Sequence, residues 1–172
     1  THLFNAMSQL HHRNPGAVGA VLIHSEMTCE VIADGVHVHR DLFKLLQKDK
    51  TADQIVLVTD ALTPTELFST NLYANGEEVE FTGGCFHRKS DGVIAGSALT
   101  MIRGVKNLVD FGFSLTDAIK CACGNPARIM NYRNKGFLIP GYDSDVVVFD
   151  RNFEIGLVFV CGKMKFNRMT KI

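Results

Sequence analysis

Two short apolar runs, each rich in β-branched residues and each closed by an aspartate, constrain the fold of this chain more than any other feature. Cys29-Glu30-Val31-Ile32-Ala33-Asp34 and Ile55-Val56-Leu57-Val58-Thr59-Asp60 read as buried strands. Between them Leu42, Phe43, Leu45 and Leu46 mark one face of a short helix, closed by Gln47-Lys48-Asp49-Lys50. Strand, helix, strand is the unit of a parallel sheet covered on both faces, so the expected fold class is α/β. In such sheets the carboxyl ends of the strands face the functional site, and Asp34 and Asp60 stand at those ends.

The texture then changes. Leu72-Tyr73-Ala74, Asn75-Gly76 and Val79-Glu80-Phe81 predict an antiparallel hairpin, because Asn-Gly favours a two-residue turn. Ser97 reads as the N-cap of a helix with Met101, Ile102, Val105, Leu108 and Val109 on one side, stopping near Gly112. Ser114 and Asp117 resemble a capping box for a second helix. Pro126 is expected to break that helix, with a short continuation over 127–131. Past Gly136, Asp145–Phe149 and Leu157–Val160 read as two further strands.

Composition narrows the functions open to such a chain. With 172 residues, 46% of them apolar, it can bury a core of ordinary size. Eighteen basic against 18 acidic side chains remove the electrostatic case for nucleic acid or an anionic membrane as partner. No apolar run approaches the roughly 18–20 residues that span a bilayer. The opening Thr1-His2-Leu3-Phe4 has neither an initiator Met nor a signal-peptide pattern, and reads as the interior of a longer sequence. The five cysteines lack Cys-x-x-Cys spacing and read as free thiols in a reducing compartment, which points to the cytoplasm.

Chemistry centres on Asp60 and the seven histidines. A carboxylate at the mouth of a parallel sheet can act as general base or acid for a water activated by a metal. It can equally cap a following turn, worth about 1 kcal/mol. His37 and His39 would share a face in an extended segment, as some metal pairs require, but Arg40 and the helix after it suggest a loop with one ring inward. Arg13 lies in the polar turn His11-His12-Arg13-Asn14-Pro15-Gly16 and either faces solvent or, with Asn5 and the nearby backbone, binds a phosphate.

Five motifs then occur in order: Thr1-His2-Leu3-Phe4-Asn5-Ala6-Met7, His11-to-Gly16, Ile32-Ala33-Asp34-Gly35-Val36-His37, Leu57-Val58-Thr59-Asp60-Ala61, and Ala95-Gly96-Ser97-Ala98-Leu99-Thr100-Met101. Together they resemble the C-terminal half of the N-acetylglucosamine-6-phosphate deacetylases, a family of the amidohydrolase superfamily. The closing stretch Gly136 to Asp145 resembles that superfamily's return into a small β-sandwich domain. The resemblance implies a division into 1–135, the C-terminal portion of a (β/α)8 TIM barrel with a β-hairpin insertion at about 70–95, and 136–172, the return segment. A barrel of this kind typically takes about 250 residues, so it would be incomplete here.

The resemblance also assigns roles. His2 would be a ligand to a divalent metal, zinc or iron, whose other ligands, a Glu and a His, this chain lacks. Asn5 and the backbone at Ala6 would hold the phosphate of a small sugar phosphate. Arg13, assisted by His12, would reach the phosphate in the neighbouring subunit of a homodimer. Asp34, Gly35, Val36 and His37 would contact substrate, with Ile94, Ala95 and Gly96 lining the sugar. Asp60 would activate the hydrolytic water and protonate the departing amine, releasing acetate and glucosamine 6-phosphate. Asn14 departs from the Glu that many relatives carry. A chain with two metal ligands missing is expected to be inactive alone. The rival readings are another amidohydrolase, dihydroorotase- or deaminase-like, and a non-catalytic module that keeps only the sugar-phosphate site.

Overall fold

The computed structural model describes residues 1–63, 65 and 72–169. Residues 70 and 71, where the hairpin insertion is expected to begin, lie outside the described residues, as do 170–172.

The two leading runs form β1 (Cys29–Ile32) and β2 (Ile55–Val58), paired in parallel with Cys29 opposite Ile55 and Ile32 opposite Val58. Between them runs α2 (Leu42–Asp49), which buries Phe43 and Leu46 against the pair. One helix precedes β1, α1 (Gly16–Ile23), and it is not foreshadowed in the sequence. Its residues are Gly-Ala-Val-Gly-Ala-Val-Leu-Ile, apolar throughout, so no polar face marks the helical period. Ahead of α1, the Leu3 amide donates to the Glu30 carbonyl at 2.8 Å and lays the opening segment beside β1.

The core lies on the face of the pair that carries Val31, Ile55 and Leu57. It is closed by Phe43 and Leu46 of α2, by Val105 and Leu108 of α3 (Met101–Asp110), and by Ala118 and Cys121 of α4 (Leu115–Ala122). Gly104 lets α3 approach β2, since a Cβ there would stand 3.0 Å from a Leu57 methyl. On the opposite face Ile32 and Val56 are also buried, so the pair is covered on both sides. Burial pushes the Cys29 thiol up to about 11 and the Cys121 thiol up to about 12, which leaves both unreactive.

Two boundaries differ from expectation. Ser114 does cap α4, accepting from the Asp117 amide at 3.0 Å, but the helix ends at Cys123, ahead of Pro126. Pro126 sits in the first turn of α5 (Gly124–Ile129), where a missing N–H costs nothing. Asn125 beside it is buried and donates to the carbonyls of Ala52 and Ile55 at 2.6 and 2.7 Å, tying the start of β2 to α5.

The predicted hairpin is present and is extended into a four-stranded antiparallel sheet. Its order is β3 (Leu72–Ala74), β4 (Glu77–Thr82), β5 (Cys85–Arg88) and β6 (Ile94–Ser97). Ser97 therefore ends a strand and does not cap α3; Thr100 occupies the N-cap. A third sheet closes the chain: β7 (Val146–Phe149), β8 (Ile155–Val160) and β9 (Lys163–Asn167), an antiparallel meander. Lys135 joins Asp143 and Asp145 at 2.9 and 2.6 Å at its entrance, and every residue of β9 is exposed. Among the described residues no helix is long and apolar enough to cross a membrane.

Candidate active site

Asp60 stands two residues past β2, exposed, with a left-handed backbone at φ 51°. The end of β6 comes alongside it: Ala61 bridges Ser97 in parallel, and the Ser97 amide donates to the Asp60 carbonyl at 2.8 Å. Gly96 makes this approach possible, because a Cβ there would lie 2.9 Å from the Asp60 carbonyl oxygen and 2.7 Å from a Leu62 methyl. Of the three residues expected to line the sugar, Gly96 is buried at this contact, Ala95 is partly buried, and Ile94 is exposed.

At the end of β1 the loop Asp34–His37 is held by its own aspartate. Asp34 Oδ1 accepts from the amides of Val36 and His37, both at 2.9 Å, and Oδ2 accepts from His37 Nδ1 at 2.6 Å. Both side chains are buried, with 6% of Asp34 and 4% of His37 exposed. Burial opposes ionisation of Asp34, but the hydrogen bonds from His37 and the two amides outweigh it and hold the carboxyl below its ordinary range. His39 points outward at 71% exposure, so one ring of the pair faces inward. Gly35 and Val36 are exposed at the crest of the loop.

The antiparallel sheet links the two strand ends. Burial, and then the charge of Asp34, raise the pKa of Cys85, which opens β5. Cys85 pairs in register with Ser97 of β6, which in turn holds Asp60. The turn before β5 meets the loop after β1, since a Cβ at Gly84 would stand 3.5 Å from a Val36 methyl, so one antiparallel sheet approaches both strand ends, a convergence that sequence reasoning missed. The signal was present as Gly96-Ser97, two small residues where a backbone must pass close to another.

His2 lies beside β1 on a turn in which His2, Phe4 and Ala6 all have positive φ. Its Nδ1 donates to the Asn5 carbonyl at 3.0 Å, which leaves the Nε2 lone pair available, the tautomer a metal-ligating histidine takes. Among the described residues, however, no three His, Cys, Asp or Glu side chains are grouped to hold a metal. His2 could fill one ligand position of a metal site, and the described residues group no further ligands with it. The Asn5 side-chain amide is spent on its own turn, donating to the carbonyls of Leu3 and His2 at 3.2 and 3.4 Å. Arg13 sits on an exposed turn, where His11 bridges Asn14 and the Arg13 guanidinium donates to His12 Nε2 at 2.8 Å.

The sequence profile of the Amidohydrolase family matches residues 1–165. This chain belongs to the amidohydrolase family. It is 34% identical over 166 residues to the N-acetylglucosamine-6-phosphate deacetylase of Lysinibacillus sphaericus, covering 96% of this chain and 43% of that protein. The chain thus spans less than half the length of that amidohydrolase. An Escherichia coli K12 protein named for the N-acetylgalactosamine counterpart is 35% identical over 165 residues, covering 95% of this chain and 98% of that one. Among solved structures, the N-acetylglucosamine-6-phosphate deacetylase of Thermotoga maritima superposes with a TM-score of 0.89 at 32% identity, over 96% of this chain and 46% of that one. The Mycobacterium smegmatis deacetylase, crystallised as an aspartate-to-alanine variant in complex with N-acetyl-D-glucosamine-6-phosphate, gives 0.88 at 29% identity, over 95% of this chain and 44% of that one.

Proposed function

We propose that this chain is the C-terminal part of a metal-dependent amidohydrolase that cleaves the acetamide of N-acetylglucosamine 6-phosphate to acetate and glucosamine 6-phosphate. In this reading β1 and β2 are the last strands of a (β/α)8 barrel, and the meander belongs to a small β-sandwich domain. The observation that supports it is the pair of strand ends, Asp34 with His37 and Asp60 with Ser97, which one antiparallel sheet approaches, at Gly84 against Val36 and at Ser97 against Asp60.

Each residue has a task in that reaction. The exposed Asp60 carboxylate takes a proton from the attacking water and returns it to the departing amine nitrogen. The Asp34–His37 loop, fixed by its buried pair, presents Gly35 and Val36 to the sugar beside β6. The phosphate is received at the Ala6 backbone, with Asn5 shaping the turn, its own amide donating to the His2 carbonyl at 2.9 Å. A divalent metal, zinc or iron, held in part through His2 Nε2, supplies Lewis acidity toward the amide carbonyl and the attacking water. Arg13, oriented by His12, reaches the phosphate in the adjoining subunit of a cytoplasmic homodimer, where its planar fork suits two oxygens at once.

The test is acetate release by the chain combined with the polypeptide that supplies the remaining metal ligands. Asp60→Asn is expected to lower kcat by about 100-fold or more while metal content and fold persist, because an amide cannot accept the water proton. Near-normal turnover in that variant would remove Asp60 from the chemistry. A second reading, the galactosamine epimer as substrate, is favoured by the Escherichia coli relative of nearly equal extent. Assaying both sugar phosphates side by side separates the two by their kcat/KM ratio.

A further inference from the structure

We propose that Ser97 is a positioning residue for Asp60, an inference that rests on the reading of Asp60 as the proton carrier. Left-handed backbone is unfavourable for a non-glycine residue and persists only where the surroundings over-determine it. At Asp60, beside a 3.4 Å bond from the Ala61 amide to the Thr59 hydroxyl, Ser97 supplies the long-range part of that determination. The Ser97 hydroxyl donates to the Thr59 carbonyl and the Ser97 amide donates to the Asp60 carbonyl, so both peptide groups flanking the Asp60 side chain are held. The Ser97 carbonyl accepts from the Leu62 amide at 3.1 Å, which extends the clamp past Asp60.

Ser97 is itself immobilised. It is fully buried, its Oγ accepts from the Leu99 amide at 3.0 Å, and it pairs in register with Cys85. A hydroxyl without solvent contact would be costly unless bonded, and here both its donor and an acceptor site are used on backbone. Because Ser97 has no exposed surface it cannot touch substrate; it acts through Asp60. Gly96 completes the device by admitting the strand to within contact of the Asp60 carbonyl.

The experiment compares Ser97→Ala, which removes the hydroxyl, with Ser97→Cys, which keeps its size with weak hydrogen bonding, and Ser97→Thr, which keeps the hydroxyl. Amide hydrogen exchange on the full chain is the readout independent of turnover. The Leu62 amide reports the clamp, since its own acceptor is a backbone carbonyl that no side-chain substitution removes. Expected is about 10-fold faster exchange at Leu62 in Ser97→Ala and Ser97→Cys, restored by Ser97→Thr, with the β7–β9 amides unchanged. In the assembly that releases acetate, Ser97→Ala is expected to lower kcat about 10- to 100-fold at unchanged KM, the cost of a misplaced catalytic group. Ser97→Thr recovers that loss, and Ser97→Ala adds nothing to Asp60→Asn.

Unchanged Leu62 exchange in both hydroxyl-deficient variants overturns the proposal, as does a loosening spread evenly over the chain. An equal kcat loss from Ser97→Ala in the Asp60→Asn background also overturns it, because the hydroxyl would then act elsewhere. If Asp60→Asn keeps its turnover while Leu62 responds as expected, the clamp stands and the catalytic reading of Asp60 alone falls.

Discussion

The parallel pair and the terminal meander are assembled from the same kinds of residue and bury them to opposite extents. In β1 and β2, Val31, Ile32 and Ile55 have no exposed surface and Leu57 has 2%. In β7–β9, Val147 is 49% exposed, Met164 55% and Phe166 45%. Both have ladders in defined register, unbroken in the pair and interrupted by one register shift in each pairing of the meander. What separates them is a second layer: α2, α3 and α4 lie on the pair, and the described residues supply none for the outer strand of the meander. Backbone hydrogen bonds exchange for bonds to water and fix register at small net gain, whereas removal of apolar area from water supplies most of the stability. The same sequence texture thus yields a core in one region and a template awaiting a cover in the other.

The contrast breaks first, if it is wrong, at the aromatic centre of the core. Phe43 has no exposed surface and packs on Phe111 and Phe113 with ring centroids 4.9 and 6.5 Å away. Phe43→Ala is expected to cost about 3–5 kcal/mol, and Phe166→Ala less than about 1 kcal/mol in the same chain. Urea midpoints measure both, and equal losses would mean that the meander carries a core of its own. A smaller effect comes from Asn125, whose amide satisfies two carbonyls at the start of β2. Asn125→Leu is expected to lose about 1–3 kcal/mol, because the Ile55 carbonyl loses its side-chain donor while the Ala52 carbonyl keeps the Ile55 amide. Lys135→Ala, at the exposed entrance of the meander, moves the midpoint far less.

The mildest test uses pH. Asp34 is held below its ordinary range, so its contribution is complete above the unfolded value near about 3.9 and is lost as pH falls through the lower folded value. Asp34→Asn is therefore expected to be less stable than the parent chain at neutral pH and to converge with it in acid. A gap that stays constant down to acid pH would show that hydrogen-bond geometry, not charge, accounts for the loss.

The elements legible in the sequence were those in which periodicity and capping agree. The β1–α2–β2 unit could be read because its strands are β-branched and its helix is amphipathic, and the placement of Asp34 and Asp60 followed from it. Helix α1 was hidden by a run with no polar face. Strand β6 was hidden because Ile94-Ala95-Gly96-Ser97 is short and half of it is small residues, and a serine ahead of a helical period looks like a cap. The Asp34–His37 pair was legible only as two residues of one motif. The fastening of Asp60 depends on β6, 37 positions further along the chain at Ser97, so it could not be found by local reasoning.

The two fastenings of β2 also set a schedule. Thr59 waits for Ser97, 38 positions later, and Ile55 waits for Asn125, 70 positions later. At ribosomal speeds of roughly 5–20 residues per second the second interval lasts about 4–14 s. Until Ser97 is made the strand that carries Asp60 lacks both anchoring side chains, and from there to Asn125 it lacks the one that ties its start. Nascent chains in that window expose a bare, strongly apolar segment, the kind of surface that chaperones engage. The strand proposed to bear the proton carrier is made early and secured late.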